Sequence, residues 1–305
     1  MVIETTDALK SFYSCASNPP VSDRHVILIL DKNLHSFPWE SLSCLEGLSV
    51  SRLPSLLELQ RRIKGFQHDY PKTGDALPAG TTEGHLVNVT KGTSILNPSG
   101  DLSQTQKYIQ PVLLQNPLTE WNHIAARSPS QNEFSTALSS SDLCLYFGHG
   151  SGAQYLPNSV LRKSDVRAVT WLMGCSSGAI TENGEFEPHG TVLSYLMAGA
   201  PAVLATLWDV TDKDCDRFSL KCGEKWGLWE ENASQKIELP KRPAGRKAES
   251  LTGKKSKMQR STNTEETGRK RVSLDEAVMR SRDACYLRYL NGAAPVIYGI
   301  PAYLG

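Results

Sequence analysis

The sequence has few of the features that usually announce a function. It has no Cys-x-x-Cys pair and no cysteine–histidine cluster at zinc spacing. Its seven cysteines, at positions 15, 44, 144, 175, 215, 222 and 285, are odd in number and widely spread, which supports neither a disulfide framework nor a metal site. The longest low-charge segment, YLMAGAPAVLATLW at 195–208, has 14 residues and contains Gly and Pro, where a membrane helix needs about 20 apolar residues. The first residues, MVIETTDALKSFYS, include acids and lack the basic start and apolar stretch of a secretory signal. An intracellular location with no membrane contact is therefore the expectation. An excess of one charge is also missing: 33 Lys and Arg face 32 Asp and Glu, a formal net charge of +1, so the chain as a whole is not expected to bind a polyanion. There is no internal repeat. With 39% hydrophobic and 21% charged residues over 305 positions, the composition is that of a globular domain long enough to bury a core.

What is present is a succession of short apolar runs. HVILILD (25–31), HLVNVT (85–90), DLCLYF (142–147), AVTWLM (168–173) and AVLATLW (202–208) have the length and the β-branched and aromatic content of strands. Between them, LPSLLELQRRI (53–63), SQNEFSTAL (130–138) and PHGTVLSYLMAG (188–199) space their apolar residues three or four apart, as helices do. Apolar strands alternating with helices predict an α/β fold whose mostly parallel sheet is covered on both faces. From about 224 to 272 the composition turns polar, and between 241 and 271 eleven Lys and Arg stand against three Glu. Such a stretch cannot bury enough to fold alone. It predicts a disordered basic insert, 224–272, inside one domain formed by 1–223 and 273–305. The insert reads first as a solvated loop; a nuclear-localisation or nucleic-acid patch is the alternative, which leaves direct nucleic-acid binding open.

Two of the strands end alike, one in FGHGSG with His149 and the other in MGCSSG with Cys175. Ligands and catalytic groups gather at the carboxyl ends of parallel strands, and the 26 positions from His149 to Cys175 hold one crossover of the length a βαβ unit needs. The spacing allows an imidazole and a thiol to face each other across neighbouring strand ends, where backbone N–H groups and an imidazolium favour the thiolate. Taken singly, a histidine between glycines reads as a turn residue and a cysteine ending a strand as core. Their joint placement, each followed by small residues that admit a substrate backbone, points instead to a nucleophile with its general base. A competing motif overlaps them: Gly174 to Gly178 satisfies G-x-S-x-G with Ser176 as nucleophile, and HGSG at 149–152 resembles a lipase oxyanion loop. That fold needs an acid and then a histidine after the serine. The one later histidine, His189, follows Ser176 by 13 residues, too few for the intervening strands, so the serine reading is set aside.

LYFGHGSGAQY, LMGCSSGAI, GEFEPHGTVLSYLMAGAPAVLATLWDVTDKDCDRF and YLNGAAPVIYGIPAYL, with DKNLHSFPWESLSCLEGLSVSRLPSL and LNPSGDLSQT nearer the start, resemble the catalytic domain of separase of the fungal type. Separase is the caspase-like cysteine endopeptidase that opens cohesin at anaphase. The resemblance covers most of the chain except the insert. It implies a three-layer α/β/α fold with a mostly parallel central sheet. It also implies His149 as general base, Cys175 as the nucleophile that forms a thioester acyl-enzyme, and the N–H groups of Gly150 and Cys175 as the oxyanion site. It requires no cofactor, and no carboxylate to orient the imidazole, since a backbone carbonyl can fix the tautomer.

By the same resemblance the substrate is the kleisin subunit of cohesin, cut after Arg in Glu-x-x-Arg sites, so an acidic pocket is expected. WDVTDKDCDRF supplies Asp209, Asp212, Asp214 and Asp216 just beyond a strand end, and a carboxylate can hold Arg with geometric selectivity. Asp216 is the favoured partner and Asp212 the second, with Asp209 rather a structural cap; acids at a helix start have that ordinary role too. Securin is the implied inhibitor, bound mostly through an upstream helical region that this sequence lacks, which makes the chain an excised domain or a fragment of a larger product. The implied location is nucleus and cytoplasm. The alternative reading is a catalytically inactive pseudo-protease that serves as an interaction module. Within the chain, Glu266 to Arg269 matches Glu-x-x-Arg in the insert, so self-cleavage would leave a new N-terminus at Lys270, whereas Glu58 to Arg61 is expected in a helix.

Overall fold

In the computed structural model, which describes residues 25–69, 84–114, 121–230 and 271–305, the pleat of three central strands organises the domain. In β6 (Leu143–Phe147), β7 (Val169–Met173) and β10 (Ala202–Thr206) every residue is buried. Successive side chains of a strand point to opposite faces, and these strands feed two separate cores. Leu143, Leu145, Phe147, Val169, Trp171, Met173, Ala202 and Leu204 enter one, while Cys144, Tyr146, Leu172, Val203 and Ala205 enter the other. That is why these runs are apolar throughout instead of alternating with polar residues.

The first core is closed by α2 (Ser103–Leu114), α6 (Asp212–Trp226) and α7 (Leu274–Ser281). The second is closed by α3 (Gln131–Ser140), α4 (Asn158–Leu161) and α5 (Thr191–Met197). The result is the expected three-layer α/β/α arrangement. Helix α3 starts with a capping box, in which the Ser130 hydroxyl accepts from Glu133 N–H and the Glu133 carboxylate accepts from Ser130 N–H. This satisfies two backbone donors at that helix end. The expected LPSLLELQRRI helix is α1 (Leu56–Asp69), and Glu58 and Arg61 lie in it.

The sheet has eight strands in the order β1-β2-β11-β10-β7-β6-β4-β5, with β1 (His25–Ile29), β2 (Ser49–Leu53), β4 (Gly92–Leu96), β5 (Asn122–Ala125) and β11 (Pro295–Gly299) completing it. All neighbouring pairs are parallel except β10 with β11. Of the expected strand HLVNVT, only β3 (His85–Val87) forms, and it pairs with β12 (Ala302–Leu304) in a small side sheet. The Asn88 carboxamide accepts from Thr90 N–H at 3.0 Å, an Asx turn that takes the chain out of the extended form. A hairpin of β8 (Thr181–Asn183) and β9 (Phe186–His189) follows the Cys175 turn.

The expected start of the insert at 224 is too early. Helix α6 continues to Trp226 and ends at Gly227, whose φ of +87° gives the left-handed cap that glycine supplies without penalty. Trp226, Leu228 and Trp229 are buried against the sheet, with the Trp226 ring 5.8 Å from that of Trp171. The folded domain therefore includes both tryptophans, and Val272 packs on the same core. Arg269 and most of the basic run lie outside the described residues. At the other end of the sheet, Arg52 on β2 is fully buried. It donates to both Glu40 oxygens at 2.7 Å, to His35 O at 2.6 Å and to Phe37 O at 2.7 Å, which ties down the β1–β2 connection.

Candidate active site

Register brings His149 and Cys175 level with each other. Strands β6 and β7 pair from Leu143 with Val169 to Phe147 with Met173, an offset of 26 that is also the separation of His149 and Cys175. Each residue is the second one beyond its strand, at the same edge of the sheet. The two turns touch: a Cβ added to Gly174 would lie 2.3 Å from both Gly148 O and Gly150 O, so only glycine lets the Cys175 turn pass this close to the His149 turn.

The backbone of the histidine turn is held from below. Tyr146 Oη donates to His149 O at 2.8 Å, and Gln154 Nε2 reaches the same oxygen at 3.3 Å. Gly150 adopts φ +59°. On the cysteine side, Ser176 adopts φ +52°, a left-handed conformation that costs a non-glycine residue about 1–3 kcal/mol. That turn is tied by Ser176 N–H to Trp208 O at 3.2 Å and by Ser176 Oγ to Asp209 Oδ1 at 2.6 Å. Ser176 is thus engaged with a carboxylate rather than a histidine, and Asp209 secures the turn; the N-cap of α6 is Thr211. Among the described residues, no backbone hydrogen bond uses the N–H of Gly150 or of Cys175.

The imidazole and the thiol are not hydrogen-bonded to each other. Cys175 Sγ donates to Val210 O at 3.2 Å, and His149 Nε2 lies 2.8 Å from Asp101 Oδ2. Cys175 is half-buried, unlike Cys144 and Cys285, whose thiols burial pushes up to about 12 and so out of chemistry near neutral pH. Asp101 is a residue that sequence reasoning misses. It follows β4, the neighbour of β6, and its carboxyl is held below the usual range chiefly by the hydrogen bond to His149. The one signal available was an acid just beyond a strand end inside LNPSGDLSQT.

The four aspartates after β10 separate by environment. Asp212 is exposed at the first position of α6. Asp214 is buried and accepts from Tyr286 N–H, Leu287 N–H, Asn291 Nδ2 and Arg217, so it anchors the loop before β11. Asp216 is 2% exposed and its carboxylate accepts from Thr105 Oγ1 of α2 at 3.2 Å. Burial, with a smaller contribution from nearby Asp212, pushes its carboxyl up to about 7. Among the described residues only Asp214 of the four is ion-paired, with Arg217, so Asp216 is the buried acid of the group without an ion pair.

Fold and site together define an α/β domain of the peptidase kind, with a cysteine and a histidine on adjoining strand ends and a buried acid nearby. Residues 1–215 match the family described as separin, protease domain. Separin of Emericella nidulans is 43% identical over 99% of this chain and 13% of its own length, and separin of Schizosaccharomyces pombe is 43% identical over 99% and 14%. The separase–securin complex of Saccharomyces cerevisiae superposes with a TM-score of 0.72 at 32% identity, over 97% of this chain and 17% of that one. The chain belongs to the separin family and corresponds to its protease domain, spanning about one seventh of the length of these curated relatives. Among the described residues no helix is long and apolar enough to cross a membrane, and no His, Cys, Asp and Glu cluster could hold a metal ion.

Proposed function

We propose that the domain is a cysteine endopeptidase that cuts after arginine, acting on the kleisin subunit of cohesin to release sister chromatids. In this reading Cys175 Sγ–H gives its proton to His149, the thiolate attacks the scissile carbonyl, and the N–H groups of Gly150 and Cys175 hold the oxyanion. The imidazolium then protonates the leaving amine, and water, deprotonated by His149, hydrolyses the thioester. Substrate closes the gap between imidazole and thiol, as catalytic hydrogen bonds commonly tighten only in the complex. Asp216 takes the guanidinium of the residue before the cut, with Asp212 adding charge at the helix start. Securin would act as inhibitor, the protein working in nucleus and cytoplasm.

The observation that carries the arginine preference is Asp216, a buried acid without an ion pair among the described residues, on the helix that follows Val210, whose carbonyl accepts from Cys175 Sγ. The alternative, an inactive interaction module, would have no use for such a group. Labelling by an arginyl acyloxymethyl ketone and cleavage of a Glu-x-x-Arg peptide test the reading. Wild type should react in both, Cys175→Ala in neither, and Asp216→Ala should lose the arginine preference. Folded wild-type protein that is inert in both assays would favour the interaction module.

A further inference from the structure

The segment from Asn97 to Thr105 is built onto the end of the sheet with unusual care for a surface turn. Asn97, at φ +51°, donates its N–H to Phe147 O at 2.8 Å. Its side chain accepts from Leu102 N–H at 2.8 Å and donates to Gln106 Oε1 at 2.9 Å. Gly100 N–H closes the turn on Asn97 O at 3.1 Å, and Ser128 Oγ holds Pro98 O at 3.1 Å. All of this fixes where Asp101 sits, and Asp101 presents its carboxylate to His149 Nε2 at 2.8 Å. Four residues on, Thr105 of the same segment donates to Asp216 at 3.2 Å.

We infer that Asp101 is a positioning residue for His149: its carboxylate keeps the imidazole proton on Nε2 and leaves Nδ1 as the atom that takes the Cys175 proton. The inference rests on the assignment of His149 as general base. An ionised carboxylate only accepts, so a hydrogen bond to it requires Nε2–H. In the transfer the Sγ–H bond breaks, an Nδ1–H bond forms, and the pair becomes thiolate and imidazolium. Asp101 stays ionised and faces the new positive charge, as the buried acid of a serine protease triad does. Both side chains are more than half exposed, at 51% and 59%, so the pair contributes little to stability and its effect is on orientation. Because Thr105 touches the pocket acid, the same segment sets the base and the arginine pocket in one frame.

The test combines a measurement on the unaltered chain with three variants. Nitrogen-15 shifts of His149 in wild-type protein should show the Nε2-protonated tautomer, and Asp101→Ala should show a mixture. Asp101→Ala should lower kcat on an arginyl peptide about 100-fold, the lower range for a positioned general base. KM and the thermal midpoint should be unchanged. Asp101→Asn, whose amide oxygen can still accept from Nε2–H, should recover part of kcat, and the rate of Cys175 alkylation should follow the same order. An Nδ1-protonated His149 in wild type, or full kcat in Asp101→Ala while His149→Ala and Cys175→Ala are dead, overturns the positioning role alone. Activity surviving in His149→Ala overturns the base assignment and this inference with it.

Discussion

Asp216→Asn separates what the buried acid does for binding from what it does to the fold. The carboxyl is 2% exposed and burial raises it from 3.8 to about 7. Between those two pH values the folded chain holds a proton that the unfolded chain has lost, so stability falls as pH rises through that window. A displacement of about three units corresponds to about 4 kcal/mol, fully lost above the folded value. Asparagine is nearly the same shape and does not titrate. The variant should therefore be more stable than wild type by about 2 kcal/mol at pH 5 and about 4 kcal/mol at pH 8. For a domain of this size the larger gap is a rise of about 8–16 °C in melting temperature. Calorimetry at the two pH values reads it. Equal gaps at pH 5 and pH 8, or a variant less stable at pH 8, would refute the reasoning. The same acid must be ionised to hold a guanidinium, so KM for an arginyl peptide should fall as pH rises through about 7.

Two further outcomes follow from close contacts. Gly174→Ala puts a methyl 2.3 Å from Gly148 O and Gly150 O, so the two catalytic turns must separate. We expect kcat to drop at least 100-fold, the order attached to a misplacement of about 1 Å, with circular dichroism showing a folded protein. Glu40→Gln removes the charge opposite the fully buried Arg52; breaking such a pair costs about 3–5 kcal/mol, which denaturant unfolding should report as a lower midpoint with an unchanged slope.

The legible parts of this domain were those in which local pattern and tertiary role agree. DLCLYF, AVTWLM and AVLATLW are buried on both faces and read as strands at once, and their endings carried His149 and Cys175 into view. GTSIL does not read as a strand, because a segment that begins Gly-Thr-Ser offers no apolar run, although β4 is wholly buried between β5 and β6. HLVNVT reads as a longer strand than it forms, because its apolar pattern continues past the Asn88 turn. The insert boundary reads early from sequence because Trp226 and Trp229 sit among polar residues, and it is Trp171 opposite that gives them a reason to be inside. Asp101 is not found by spacing, since its contact with His149 depends on the turn after β4 meeting the turn after β6, a neighbouring strand 51 residues away in pairing. The four aspartates look alike in sequence. Asp214 and Asp216 are equally buried, and what separates them is their partners: Asp214 accepts from Arg217, Asn291 and two backbone N–H groups, Asp216 from Thr105.

In the eight-stranded sheet the antiparallel pair, β10 with β11, has a consequence for how the domain is assembled. Strand β11 (Pro295–Gly299) sits between β2 and β10, so the sheet stays in two pieces until residues 295–299 have emerged from the ribosome. Until then β2 and β10 each expose an unpaired edge, and such edges invite pairing with other chains. A nascent or truncated domain ending before residue 295 is then a candidate for chaperone capture. The candidate site, although built almost entirely from residues before 217, sits on a complete sheet only once β11 is in place.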